Sequence, residues 1–334
     1  MTHEPRPPVL EVRDLVVEFS TRRGLVRAVD GVSFSLRHGE ALGILGESGS
    51  GKSVTAGAVM GILESPPAHV RDGQVLLNGE DLLDMDPKDR RALMASTVSM
   101  VFQDALTALN PVHPVGRQIG ELYRVHRGMS RRDARDRAVE MMRLVNIPDA
   151  ERRVDDYPHQ FSGGMRQRIM IALALALDPE VLIADEPTTA LDVTVQAQIL
   201  DLLGKQQRER DMGLVLITHD LAVASEVTDR VAVMYAGRIV ESGTAAEVLT
   251  GPAHPYSRGL CDSVASAELK GSRLPAIPGQ PPDLAAIPAG CAFAPRCARA
   301  TDMCRHDRPS LLAVPGGHPG RQAACHYAEE AIHV

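Results

Sequence analysis

Eight consecutive residues, Gly46-Glu47-Ser48-Gly49-Ser50-Gly51-Lys52-Ser53, satisfy the spacing G-x-x-x-x-G-K-[ST]. Glycines at these positions let a loop curl so that backbone N–H groups point inward at phosphate oxygens. A helix opening at the end of the loop adds the favourable field of its N-terminus. Lys52 would reach the β- and γ-phosphates of a nucleotide, the Ser53 hydroxyl would ligate Mg²⁺, and Val54 completes the contact set. A second stretch, Val181-Leu182-Ile183-Ala184-Asp185-Glu186, reads as an apolar strand ending in two acids. A buried strand would hold Asp185 beside the metal, while Glu186 could orient or deprotonate an attacking water. The chemistry these two groups share is phosphoryl hydrolysis, in which positioning and charge neutralisation matter more than covalent catalysis.

A third group is the cysteines. The first 260 residues contain none, and four of the five, Cys291, Cys297, Cys304 and Cys325, follow C-x5-C-x6-C-x20-C. Short zinc sites favour a paired C-x2-4-C spacing, which is absent here. Four thiolates spread over a proline-rich segment suit a cubane [4Fe–4S] cluster, whose corners lie further apart. Zinc and unligated thiols are the other two readings. His306, His318 and His326 are substitute ligands or surface residues, and Cys261 is a bystander thiol.

The elements that must position these groups alternate between strand and helix, which predicts a largely parallel sheet covered by helices. Strands are expected at 10–19, 32–36, 41–45, 75–77, 97–102, 181–184, 214–218, 231–235 and 238–241. Between 110 and 160 the pattern turns helical: Pro111 and Pro114 break the chain, and Ser130 with Asp133 caps a long amphipathic helix ending near Asn146. After Thr250 the prolines preclude long regular elements.

With 334 residues, 44% of them hydrophobic, the chain has ample core-forming material. Its net charge of −7 argues against the bulk positive field of a nucleic-acid binder. The charged, proline-bearing first nine residues lack a secretory signal, and the longest uncharged apolar run, 169–177, is too short to span a bilayer. A cytoplasmic protein, in which clustered cysteines more often hold metal than form disulfides, is the expectation.

Phe161-Ser162-Gly163-Gly164-Met165-Arg166-Gln167-Arg168 precedes an apolar helix expected at 169–177, and by itself reads as an N-cap and a glycine turn. In combination with the two nucleotide motifs it resembles the signature of the ATP-binding subunits of ABC transporters. Met165 and Phe161 depart from the commonest glutamine and leucine, in the manner of a peptide-transporter branch. The resemblance implies that Ser162, Gly163 and Gly164 cap the γ-phosphate of ATP held by a partner subunit. It implies that Gln103 contacts Mg²⁺ and the attacking water, that Ala190-Leu191-Asp192 crosses the dimer interface, and that His219 is the switch histidine at the γ-phosphate. Phe19 either stacks on adenine or is buried by its strand.

Phe102-Gln103-Asp104-Ala105-Leu106-Thr107-Ala108-Leu109-Asn110-Pro111 and His254-Pro255-Tyr256-Ser257-Arg258-Gly259-Leu260 are similar to segments of oligopeptide/dipeptide importer ATPases. Those ATPases are known to hold a [4Fe–4S] cluster in the C-terminal region. The implied fold is α/β, a P-loop NTPase of the ABC nucleotide-binding type. It would comprise an ATPase domain over 1–250 with a helical subdomain at about 104–177, a linker over 251–290 and a cysteine-bearing, metal-binding module over 291–334. The implied partners are a sister ATPase in a heterodimer, two transmembrane permease subunits and an extracytoplasmic peptide-binding protein, at the cytoplasmic face of the membrane. Relatives carrying nickel, oligosaccharides or glutathione leave the cargo open, and a non-transport ABC ATPase acting on DNA or ribosomes is the remaining rival.

Overall fold

The computed structural model describes residues 7–189, 191–263 and 277–332. Ala190, and residues 264–276 of the expected linker, lie outside the described residues. Two compact units form, the first from the described parts of Met1–Arg37, Ala41–Leu83 and Leu216–Val334, the second from His38–Glu40 and Asp84–Val215.

In the first unit, strands β1 (Leu10–Thr21), β2 (Gly24–Leu36), β4 (Ala68–Leu77) and β5 (Glu80–Asp81) make an antiparallel sheet in the order β2-β1-β4-β5. The expectation of a largely parallel sheet does not describe this one, and the strands expected at 32–36 and 75–77 are longer than expected. The strands extend further because β1 pairs with β2 from Leu10↔Leu36 to Thr21↔Gly24 and with β4 as far as Phe19↔Ala68. Cross-strand pairing holds even polar stretches in place, such as His69 opposite Glu18, where no apolar run announces a strand.

Also in the first unit, β3 (Ala41–Leu45) is buried throughout and runs parallel to β9 (Arg230–Tyr235), which pairs antiparallel with β10 (Arg238–Thr244). The C-terminal segment continues this order: β12 (Gln322–Ala323) pairs with β10, and β11 (Leu312–Ala313) pairs with β12. Tyr235, Tyr256 and Phe293 form an aromatic cluster, with Tyr235–Tyr256 centroids 4.5 Å apart and Phe293 meeting Tyr235 edge-on at 5.4 Å. Ile277, Leu284 and Ile287 pack on the same core. Helices in this region, Pro255–Asp262 and Asp302–His306, are short, as the prolines require.

The second unit holds β6 (Val98–Val101) parallel to β7 (Val181–Asp185) and helices Val115–Arg127, Arg131–Leu144 and Gly163–Leu175. Ser130 caps the second of these, accepting the Asp133 N–H at 3.2 Å. β8 (Gly213–Thr218) carries the chain from this unit back into the first. Among the described residues no helix is long and apolar enough to cross a membrane.

Candidate nucleotide site

In the first unit, β3 delivers the chain into the phosphate loop, and the helix Lys52–Met60 leaves it. Gly51 caps this helix and brings no side-chain hydrogen bond to it. The loop needs its glycines for two reasons. Gly51 has φ +105°, and a Cβ there would stand 2.5 Å from the Ala28 carbonyl oxygen. Gly46 has φ +152°, and a Cβ would collide with the Met234 carbonyl oxygen.

Lys52 is 4% exposed, and its Nζ donates to the Gly46 carbonyl at 2.8 Å and the Glu47 carbonyl at 3.0 Å. An ammonium folded back onto its own loop is held where phosphate oxygens would meet it. Ser50 Oγ is buried with no hydrogen-bond partner. Ser48, Gly49 and Ser53 are exposed and Val54 is half-buried. His219 follows β8 and is exposed, and Phe19 is half-buried on β1, outside the core.

In the second unit, the parallel pairing of β6 and β7 brings Val101 beside Ala184. Gln103 and Glu186 therefore leave adjacent carboxyl ends, the place where α/β sheets present chemistry. Gln103 Nε2 donates to Glu186 Oε2 at 3.2 Å, and Thr189 Oγ1 donates to the same oxygen at 2.9 Å. Glu186 has φ +44°, a left-handed backbone that non-glycine residues seldom adopt, while Asp185 ends β7 as a buried carboxylate. The structure thus joins two residues that the sequence offered separately, 83 positions apart.

Ser162 caps the helix Gly163–Leu175, its Oγ accepting the Met165 N–H at 3.4 Å. The helix begins at Gly163, six residues before the apolar stretch that announces it, because the cap and not hydrophobicity sets its start. Ser162 and Gly163 are exposed. Gly164 is closely packed: a Cβ there would come within 2.7 Å of Val195 Cγ1, so the Val195 side chain would have to shift. Phe161 is buried beneath the Arg153 guanidinium, 4.2 Å above the ring. Asp192 caps the helix Val193–Glu209, accepting the Val195 N–H at 2.9 Å.

Cys291, Cys297, Cys304 and Cys325 line one small cavity of about 20 Å³, together with Phe293, His326 and Tyr327. The Cys291 N–H donates to the Cys304 carbonyl at 2.8 Å. Burial pushes the Cys291 and Cys297 thiols upward and that of Cys325 to about 11, so without a metal they stay protonated. Cys261 also lies half-buried against the aromatic core, its thiol raised by burial to about 11. Among the described residues no group of three or more His, Cys, Asp or Glu side chains that could hold a metal ion is found, so the metal-binding character expected of 291–334 is not shown.

Two residues of the nucleotide region escaped sequence reasoning. Arg296 makes a two-pronged ion pair with Glu47 inside the phosphate loop, and Tyr256 Oη accepts the Glu47 N–H at 2.8 Å. Nothing in a linear pattern pairs residues that lie 249 and 209 positions apart.

Residues 29–189 match the ABC transporter family, and 240–304 match the oligopeptide/dipeptide transporter C-terminal region. The chain is 51% identical over 310 residues to the dipeptide transport ATP-binding protein DppD of Bacillus subtilis, covering 93% of this chain and 92% of that one. It is 48% identical over 326 residues to the oligopeptide transport ATP-binding protein OppD of Salmonella typhimurium, covering 97% and 96%. Among solved structures, the ATP-binding cassette MJ0796, captured as a dimer after hydrolysis with ADP and Pi, matches with a TM-score of 0.64 at 26% identity, covering 71% of this chain and 98% of that one. The cbiO1 subunit of the Clostridium perfringens cbiONQ transporter matches with a TM-score of 0.61 at 29% identity, covering 72% and 90%. The likenesses to the transport ATP-binding proteins run along almost the whole length, and the chain belongs to the ABC transporter ATPases, in the branch of oligopeptide/dipeptide transport ATP-binding proteins.

Proposed function

We propose that this chain hydrolyses ATP to drive import of oligopeptides or dipeptides through a membrane ABC transporter. The observation that carries the reading is the presence, in one chain, of the ABC transporter match and the oligopeptide/dipeptide C-terminal match. In this reading the loop from Gly46 to Val54 cradles the phosphates and Lys52 neutralises them. Ser53, Asp185 and Gln103 hold Mg²⁺, which supplies charge neutralisation at the transferring phosphoryl group. Glu186 is the general base, and His219 contacts the γ-phosphate. Phe19, left outside the core, is free to stack on adenine. One phosphate loop and one signature helix cannot complete a site alone. Ser162, Gly163, Gly164 and Asp192 therefore serve nucleotide on a second, sister ATPase, and the pair docks beneath two permease subunits at the cytoplasmic face, fed by an extracytoplasmic binding protein. Co-purification from the native membrane with mass-spectrometric identification should recover permease subunits and a sister ATPase. Recovery of ribosomal or DNA partners without permeases would overturn the transport reading.

The cysteine module is proposed to hold a [4Fe–4S] cluster on Cys291, Cys297, Cys304 and Cys325. The support for this reading is that all four thiols line one cavity and that their sequence spacing lacks the paired C-x2-4-C of short zinc sites. The cavity is near the volume of one water, so the thiols must rotate outward to admit a cubane. The cluster would cross-link 291–325 through metal–thiolate bonds. Anaerobic purification should give a brown protein with about four irons per chain, whereas a colourless protein with stoichiometric zinc would rule the cluster out.

A further inference from the structure

The phosphate loop contains an acid, which is an awkward neighbour for a polyphosphate. Glu47 is the second residue of the loop, and all three of its polar groups are engaged. Its carbonyl oxygen accepts Lys52 Nζ at 3.0 Å and the Ser50 N–H at 3.2 Å, so it is one of the two carbonyls that aim the phosphate-binding ammonium. Its N–H donates to Tyr256 Oη at 2.8 Å, and Tyr256 is fully buried. Its carboxylate receives both terminal nitrogens of Arg296, NH1 at 2.6 Å on Oε2 and NH2 at 3.0 Å on Oε1.

Arg296 is itself fixed. Its side chain is 5% exposed, Nε donates to the Pro278 carbonyl at 2.9 Å, and NH1 lies 3.5 Å from Tyr235 Oη. The guanidinium carbon stands 5.9 Å from the ring centres of both Tyr235 and Phe293. A planar fork locked on four sides is a rigid anchor, and a bidentate arginine–carboxylate pair is the strongest side-chain tie available to it.

We infer that Arg296 and Tyr256 are positioning residues for ATP binding, holding the phosphate loop through Glu47 and cancelling the charge of its carboxylate. The inference rests on the reading of this loop as the ATP site. Tyr256 fixes the backbone whose carbonyl aims Lys52. Arg296 fixes the side chain and keeps an uncompensated anion away from the incoming phosphates. The C-terminal region is thereby part of the nucleotide site's framework, and Arg296, immediately before Cys297, ties the cysteine module to the loop.

The test is Mg–ATP affinity of the full-length protein by titration calorimetry, alongside Tm, for wild type, Lys52→Ala, Arg296→Gln, Glu47→Gln and Glu47→Gln/Arg296→Gln. Loss of one partner of a charged pair strands the other, so Arg296→Gln is expected to weaken ATP binding about tenfold. Removing the carboxylate as well should restore affinity to within about threefold of wild type, because no stranded anion remains. A scaffold role without influence on charge predicts the opposite order, with the double variant no better than the single one. That order, or an Arg296→Gln affinity within about twofold of wild type, overturns the inference. If Arg296→Gln does not fold, Arg296→Lys takes its place. It keeps the charge but loses the fork, with an expected loss of about fourfold and the same twofold threshold. Wild-type protein that binds no Mg–ATP, or binds it no better than Lys52→Ala, would instead refute the assignment of the loop.

Discussion

Glu186→Gln is expected to leave ATP binding intact while lowering turnover at least about 100-fold, the low end of what a positioned general base contributes. The substitution changes no volume and keeps an acceptor oxygen for Gln103 Nε2 and Thr189 Oγ1, both of which donate to Oε2 in the native protein. Those two donors orient the new amide: its oxygen must face them, so its NH₂ group faces the water. An amide nitrogen in that position can donate but cannot accept a proton, and the water loses its base while the surroundings are preserved. Because ATP then persists, the two-chain closed state should accumulate. Size-exclusion chromatography with Mg–ATP should show a stable dimer in the variant and a transient one in the wild type. Wild-type-like turnover would remove Glu186 from the role of base. The left-handed φ of +44° at this residue fits such a role, since strained backbone persists only where its surroundings hold it.

What could be read from the sequence divides along the distance between interacting residues. The phosphate loop is legible because its whole mechanism lies in eight consecutive residues: a glycine at φ +105°, a lysine that folds back on carbonyls five and six positions earlier, and a helix opening at once. Ser130 and Ser162 are legible for the same reason, each capping an N–H three residues on. Gln103 and Glu186 could be named one by one from family resemblance, but their mutual hydrogen bond depends on the parallel register of β6 with β7, which no local pattern encodes. The antiparallel sheet was under-read where charged residues such as Glu18 and Arg71 bond to each other across strands and interrupt the apolar run. The tail was least legible. Its proline content announces irregular structure, and irregular structure suggests a detached linker. Yet Tyr256, Phe293 and Ile277 are packed on the same core as Leu45, the residue just before the phosphate loop. Irregular backbone does not prevent burial when aromatic side chains supply the contact area.

The same C-terminal region contains the most consequential structural ion pair, and Glu241→Ala is expected to lower stability by about 3–5 kcal/mol. Glu241 sits on β10 with no exposure at all. It accepts the Ala253 N–H at 2.7 Å and the His254 N–H at 2.9 Å, and faces Arg321 NH2 at 3.4 Å. Arg321 is buried too and also donates to the Gly251 carbonyl. Alanine would leave two backbone donors without their acceptor and the buried Arg321 guanidinium without its counter-charge. At about 1.4 °C per kcal/mol for a chain of 334 residues, Tm should fall by roughly 4–7 °C, measurable by calorimetry. Glu241→Gln keeps an acceptor for only one of the two backbone donors, which bond different carboxylate oxygens, and should lose less than alanine. Burial raises the Glu241 carboxyl above its ordinary value of 4.5, against the pull of the Ala253 and His254 N–H groups and Arg321. With the native value raised, the native state binds the proton more tightly than the unfolded one. This contribution is fully present below pH 4.5 and is lost as pH rises through the raised native value. Wild type should therefore show a stability component that declines with rising pH over that window, and Glu241→Gln should abolish it. An unchanged pH slope in Glu241→Gln would mean that the two N–H groups and Arg321 fully offset the cost of burial. A Glu241→Ala protein as stable as wild type would show that the β10 network does not hold the C-terminal region in place.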